Sequence, residues 1–100
     1  FPYTTLFRSI WLGVTLTGAE PREEAERVIE MMARLGTIFK QYIFLSAEPL
    51  LGDLSWIPEG CFDQVIVGPD TSRGATKPNH AWAPKGDNVY FKQSWKEMFK

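Results

Sequence analysis

Tyr42-Ile43-Phe44-Leu45-Ser46 is a continuous apolar run of strand length, and it passes straight into Ala47-Glu48-Pro49-Leu50-Leu51-Gly52. Pro49 blocks extension of the strand. A strand that is apolar throughout, rather than alternating, belongs to a parallel sheet with both faces covered. Three more segments read the same way. On the N-terminal side, Ile10-Trp11-Leu12-Gly13-Val14-Thr15-Leu16 is a short β-prone run, followed by the loop Thr17-Gly18-Ala19-Glu20. On the C-terminal side, Phe62-Asp63-Gln64-Val65-Ile66-Val67-Gly68 is a strand with a glycine exit, and Asn88-Val89-Tyr90-Phe91-Lys92 is the last strand.

Between the first two strands the period changes. Pro21 suits the first position of a helix. Ala25, Val28, Ile29, Met32 and Leu35 then fall on one helix face. Glu23–Arg27 and Glu30–Arg34 have the spacing of favourable i, i+4 pairs. Gly36 is a natural stop. Ser94 is placed to cap a short terminal helix from Trp95 to Phe99. Residues 69–87 are polar and rich in Gly and Pro. The predicted order is strand, helix, strand, strand, strand, helix.

Parallel strands buried on both sides need helices on both sides, and only one long helix is present. The expected fold class is therefore α/β, as part of a domain rather than a whole one. The alternative is a compact α+β domain with one bare sheet face. A partial parallel sheet exposes strand edges, so self-association through those edges is expected.

The chain has 100 residues, of which 44% are hydrophobic and 23% charged, as in an ordinary globular domain. Eleven basic against twelve acidic residues give a net charge of −1. That balance carries no electrostatic footprint for nucleic acid. One cysteine, Cys61, excludes an internal disulfide framework and a cysteine-rich metal site, and points to a cytoplasmic setting. No apolar run reaches the ~20 residues that span a bilayer, so no membrane partner is expected. Phe1-Pro2-Tyr3-Thr4-Thr5-Leu6-Phe7-Arg8-Ser9 resembles the in-frame translation of a short sequencing adapter. On that reading residues 1–9 are an artefact outside the fold, and residues 10–100 are a partial α/β domain.

Four phrases occur together: Trp11-Leu12-Gly13-Val14-Thr15, Phe44-Leu45-Ser46-Ala47-Glu48-Pro49-Leu50-Leu51-Gly52, Val65-Ile66-Val67-Gly68 and Phe91-Lys92-Gln93. In order and spacing they resemble the C-terminal half of the phage gp thirty-seven / gp sixty-eight family, whose function is unknown. Members of that family look like radical S-adenosylmethionine proteins with a partial (β/α) barrel. The resemblance covers roughly Ile10 to Lys92. It implies C-terminal units of a radical-SAM-like fold, forming part of the barrel rim and inactive alone. A full-length parent would bind S-adenosylmethionine and an iron–sulfur cluster; this fragment alone would bind neither. The family's cysteine cluster is absent here. The family's Ser-Cys-Glu-Pro stands as Ser46-Ala47-Glu48-Pro49, and the helix before the last strand is shortened to His80–Lys85, interrupted by Pro84. The competing functional reading is a phage-derived binding module, for example for nucleic acid, without catalysis.

Ligands of parallel sheets bind beyond the carboxyl ends of the strands. Glu48 stands at such an end, suited to a substrate amine or hydroxyl; the structural alternative is a cap paired with a neighbouring cation. Lys92 and Gln93 end the last strand on the same rim, where Lys suits a carboxylate or phosphate. Gly68 lets a ligand approach the backbone, and Asp70 and Arg73 follow in the same loop. These six are the candidate ligand-binding residues, for an unidentified substrate. No catalytic residue and no metal ligand is assigned. Glu48 and Lys92 are expected on one rim with the strand of Gly68 between them, their Cα atoms roughly 10–15 Å apart. His80, Trp82, Cys61, Trp11 and Trp56 read as structural or solvent-facing.

Overall fold

The computed structural model describes residues 11–100, so the expectations for residues 1–9 lie outside the described residues. Four strands form one sheet in chain order: β1 (Trp11–Thr15), β2 (Tyr42–Ala47), β3 (Gln64–Val67) and β4 (Val89–Phe91). Every neighbouring pair is parallel. Among the described residues two α-helices accompany it, α1 (Arg22–Phe39) and α2 (Gln93–Met98), with a single 3-10 turn at His80–Trp82. The fold is mixed α/β.

The register explains where the core sits. Leu12 pairs with Ile43, Val14 with Leu45, Leu45 with Val65, and Val67 with Phe91. Partners in a parallel ladder point to the same side, so these residues define one face. Ile43, Leu45, Ala47, Val65 and Val67 on it are buried. Helix α1 packs against β1 and β2, inserting Ala25 and Met32. The β2–β3 connection has no helix; Leu50, Leu54, Ile57 and Phe62 are buried in its place. Trp95 of α2 closes the last strand, packing on Phe91 and Phe99 at ring separations of 5.5 and 4.7 Å. Its indole N–H finds no acceptor among the described residues.

Among the described residues the opposite face is bare, which corrects the expectation of strands buried on both sides. Trp11, Gly13 and Thr15 are exposed along β1, as is Tyr90 on β4, while Phe44 and Ile66 are half-buried. The aromatic residues here cover one another: Trp11 stacks on Tyr42 at 5.0 Å, and the Phe44 ring lies where a side chain at Gly13 would stand. A run of apolar residues does not reveal that nothing covers one of its sides.

Four local expectations are also corrected. Pro21 is the N-cap rather than the first helical residue. Helix α1 runs through Gly36 to Phe39 and stops at Lys40, which takes the left-handed conformation at φ 52°. Gly36 serves packing instead: a methyl group there would lie 2.9 Å from Cγ2 of Ile43. Ser94 caps nothing, because Lys92 is the N-cap of α2 and no side chain bonds that end. The ion pairs on α1 are Arg22–Glu26 and Glu30–Arg34, not Glu23–Arg27.

Candidate functional site

The ladder continues one residue past the last strand partners. Gly68 N–H donates to Ala47 O at 3.1 Å, Lys92 N–H donates to Val67 O at 2.9 Å, and Leu50 N–H returns to Gly68 O at 3.0 Å. Ala47, Val67 and Phe91 are paired across β2, β3 and β4 and point to the covered face. The next residues, Glu48, Gly68 and Lys92, therefore stand side by side on the bare face, at the carboxyl edge.

Lys92 Nζ bonds Glu48 Oε1 at 2.8 Å, spanning the strand between them. Glu48 Oε2 fills the place that a Cβ at position 68 would take. Glycine is needed here for close approach, not for an unusual φ. The side chains of Glu48 and Lys92 are 32% and 46% exposed, so both charges remain reachable. Two residues back on the same face lie Ser46, Ile66 and Tyr90. The edge is thus a charged row with an uncharged floor behind it, apolar at Ile66 and aromatic at Tyr90.

Glu48 and Lys92 share one rim with Gly68 between them, but they meet each other directly. That arrangement is also what the structural alternative for Glu48, a cap paired with a cation, requires. The other candidates do not join them in any bond. Asp70 Oδ1 accepts from Ser72 N–H at 2.9 Å and from Ser72 Oγ at 2.6 Å. The Ser72 hydroxyl bond, then its N–H bond, hold the Asp70 carboxyl below the usual range. Arg73 is exposed. Gln93 is exposed and opens α2.

A second carboxylate builds the rim from below, and the candidate list had passed over it. Glu20 accepts from Thr17 N–H and Gly18 N–H at 2.9 Å and from Thr17 Oγ1 at 2.8 Å. Burial alone would raise its carboxyl, but the bonds from Thr17 and Gly18 outweigh it and the net shift is downward. The clamped Thr17 carbonyl accepts from Leu51 and Gly52 N–H at 2.7 and 3.1 Å. Gly18 and Gly52 touch backbone to backbone, leaving no room for a side chain on either. This accounts for Leu50-Leu51-Gly52: Leu50 is buried, and Gly52 locks two edge loops together. The signal was Thr17-Gly18-Ala19-Glu20, a carboxylate three and two residues from the strand-end amides it reaches.

His80 is exposed yet enclosed on one side by Phe91, Trp95 and Phe99, with ring separations of 5.0–5.7 Å. Arg22 lies over Trp56, 4.0 Å from the ring centroid. Beside it, a cleft of about 280 Å³ is lined by Ile29, Pro58 and the half-buried Cys61. This cleft belongs to the α1 side of the molecule.

The residues do not fit an iron–sulfur cluster. The chain has one cysteine, and no three of its His, Cys, Asp or Glu gather into a metal-binding group among the described residues. No described helix is long and apolar enough to cross a membrane. Comparison with protein-family models, with curated proteins and with solved structures finds no match.

Proposed function

We propose that this sheet is the C-terminal wall of a parallel (β/α) barrel of radical-SAM-like type, and that its carboxyl edge binds a small polar ligand between Glu48 and Lys92. Two features support the barrel. The strands follow chain order, and one face is left bare. A doubly wound sheet reverses its strand order and is covered on both faces, whereas a barrel turns one face inward. The observation that carries the site is the Glu48 carboxylate seated over Gly68 and bonded to Lys92 across β3.

The chain's own residues bind and orient in this reading. Lys92 offers donors to a ligand anion, Glu48 accepts from a ligand donor, and Gly68, lacking a Cβ, leaves the room in which the Glu48 carboxylate sits. Reductive chemistry would need cluster ligands that this chain lacks, so the chain alone is expected to be inactive on S-adenosylmethionine. Amide NMR of the chain against a set of small polar molecules tests the site. Ligands should move the Gly68 and Lys92 signals, and Lys92→Met should abolish the response. A set in which nothing moves those signals would remove the proposal.

A further inference from the structure

We propose that the edge takes an α-amino-acid head group, with the ligand ammonium on Glu48, the ligand carboxylate on Lys92, and an apolar or aromatic side chain laid over Ile66 and Tyr90. The inference rests on the carboxyl edge being a ligand site at all. Glu48 and Lys92 form a neutral pair at 2.8 Å. A ligand of single charge is drawn to one member and repelled by the other. A zwitterion carrying both charges on one carbon matches both and closes a ring of four alternating charges. Lysine has three donors, and one is used by Glu48. The half-exposed heads leave the remaining donors accessible.

The floor selects the other end of the ligand. Ile66 and Tyr90 lie two residues behind Gly68 and Lys92, about 7 Å down the sheet at the usual strand rise. That distance suits the ring of a phenylalanine whose head sits at the edge. Tyr90 is 57% exposed, and Phe44 continues the apolar surface towards the other end of β2. No charged side chain belongs to the strands on this face between Trp11 and Tyr90, and their polar groups there, on Thr15, Ser46 and Gln64, are neutral, so the strands offer a phosphate no cation behind the edge.

The 100-residue chain is titrated with L-phenylalanine, 3-phenylpropionate and phenethylamine, following the Gly68 and Tyr90 amides by NMR. Phenylalanine should bind about tenfold or more tightly than either single-charge analogue, the size of one charged hydrogen bond. Glu48→Gln should remove the advantage over 3-phenylpropionate, and Lys92→Met the advantage over phenethylamine. Equal binding of an analogue by the unaltered chain overturns the amino-acid class. If none of the three moves Gly68 but another polar molecule does, the class is wrong and the edge remains a site. If no molecule moves it, both readings fall.

Discussion

A methyl group at position 68 would stand where Glu48 Oε2 now lies. Gly68→Ala should therefore push the carboxylate off the edge and break its bond to Lys92. The pair is partly exposed, so stability should change by about 1 kcal/mol or less, while any ligand response at the edge is lost. A crystal structure of the variant with the 2.8 Å contact intact would refute this account of the glycine. Glu20 makes a different prediction. Its folded carboxyl lies below its ordinary value of 4.5, so its contribution to stability is fully present above pH 4.5 and fades as the pH falls through the lower folded value. Melting curves of the unaltered chain and Glu20→Gln should differ above pH 4.5 and converge in acid. A gap that widens in acid would show that the clamp binds the protonated form. The juxtaposition of Glu48 and Lys92 was legible because each residue directly follows an apolar strand, and parallel strands end on one side. The Glu20 clamp was not singled out, since a carboxylate beside a proline reads equally well as a solvated loop residue.

Helix α1 shows how a local stop signal loses to packing. Gly36 has the character of a terminator, yet the last turn continues to Phe39 and the left-handed position falls on Lys40 at φ 52°. Three features hold it there. Gln41 N–H bonds Gly36 O at 3.1 Å, Ile43 packs on the Gly36 backbone, and the chain must turn at once into β2. A non-glycine residue in that conformation costs about 1 kcal/mol. Lys40→Gly should therefore stabilise the chain by roughly that amount, less the entropy that glycine adds to the unfolded state. The readout is the denaturation midpoint in urea; an unchanged or lowered midpoint would contradict it. The helix-free β2–β3 connection makes a parallel case. Leu50, Leu54 and Ile57 carry the i, i+4, i+7 spacing of a helix face, yet they and Phe62 are buried in a connection without a helix. Their burial follows from loop hydrogen bonds such as Leu54 N–H to Trp82 O at 2.9 Å, which join segments distant in sequence.

At the scale of the molecule, the bare face sets the behaviour of the chain in solution. Trp11, Tyr42 and Tyr90 are 44%, 46% and 57% exposed, on one side of a sheet whose edge strands β1 and β4 have no outer neighbour among the described residues. The strand sequences legibly gave a parallel sheet; whether its second face is covered depends on contacts beyond any one strand. Clustered exposed aromatics favour association, and unpaired edges template strand addition. Light scattering and hydrophobic-dye fluorescence should both rise with protein concentration. A lysine at position 90 would place a charge on the face and beside the open β4 edge, opposing both routes together. Tyr90 is 57% exposed and stands outside the core cluster, with the Lys96 ammonium 5.6 Å from its ring, so Tyr90→Lys should leave the melting temperature within a few degrees. The same substitution should suppress association and dye binding. Loss of the fold in Tyr90→Lys would mean that the face supports the core. Association unchanged in a folded Tyr90→Lys would move the contact to the α1 side, where Met31, Ile38 and Phe39 are 50%, 68% and 58% exposed.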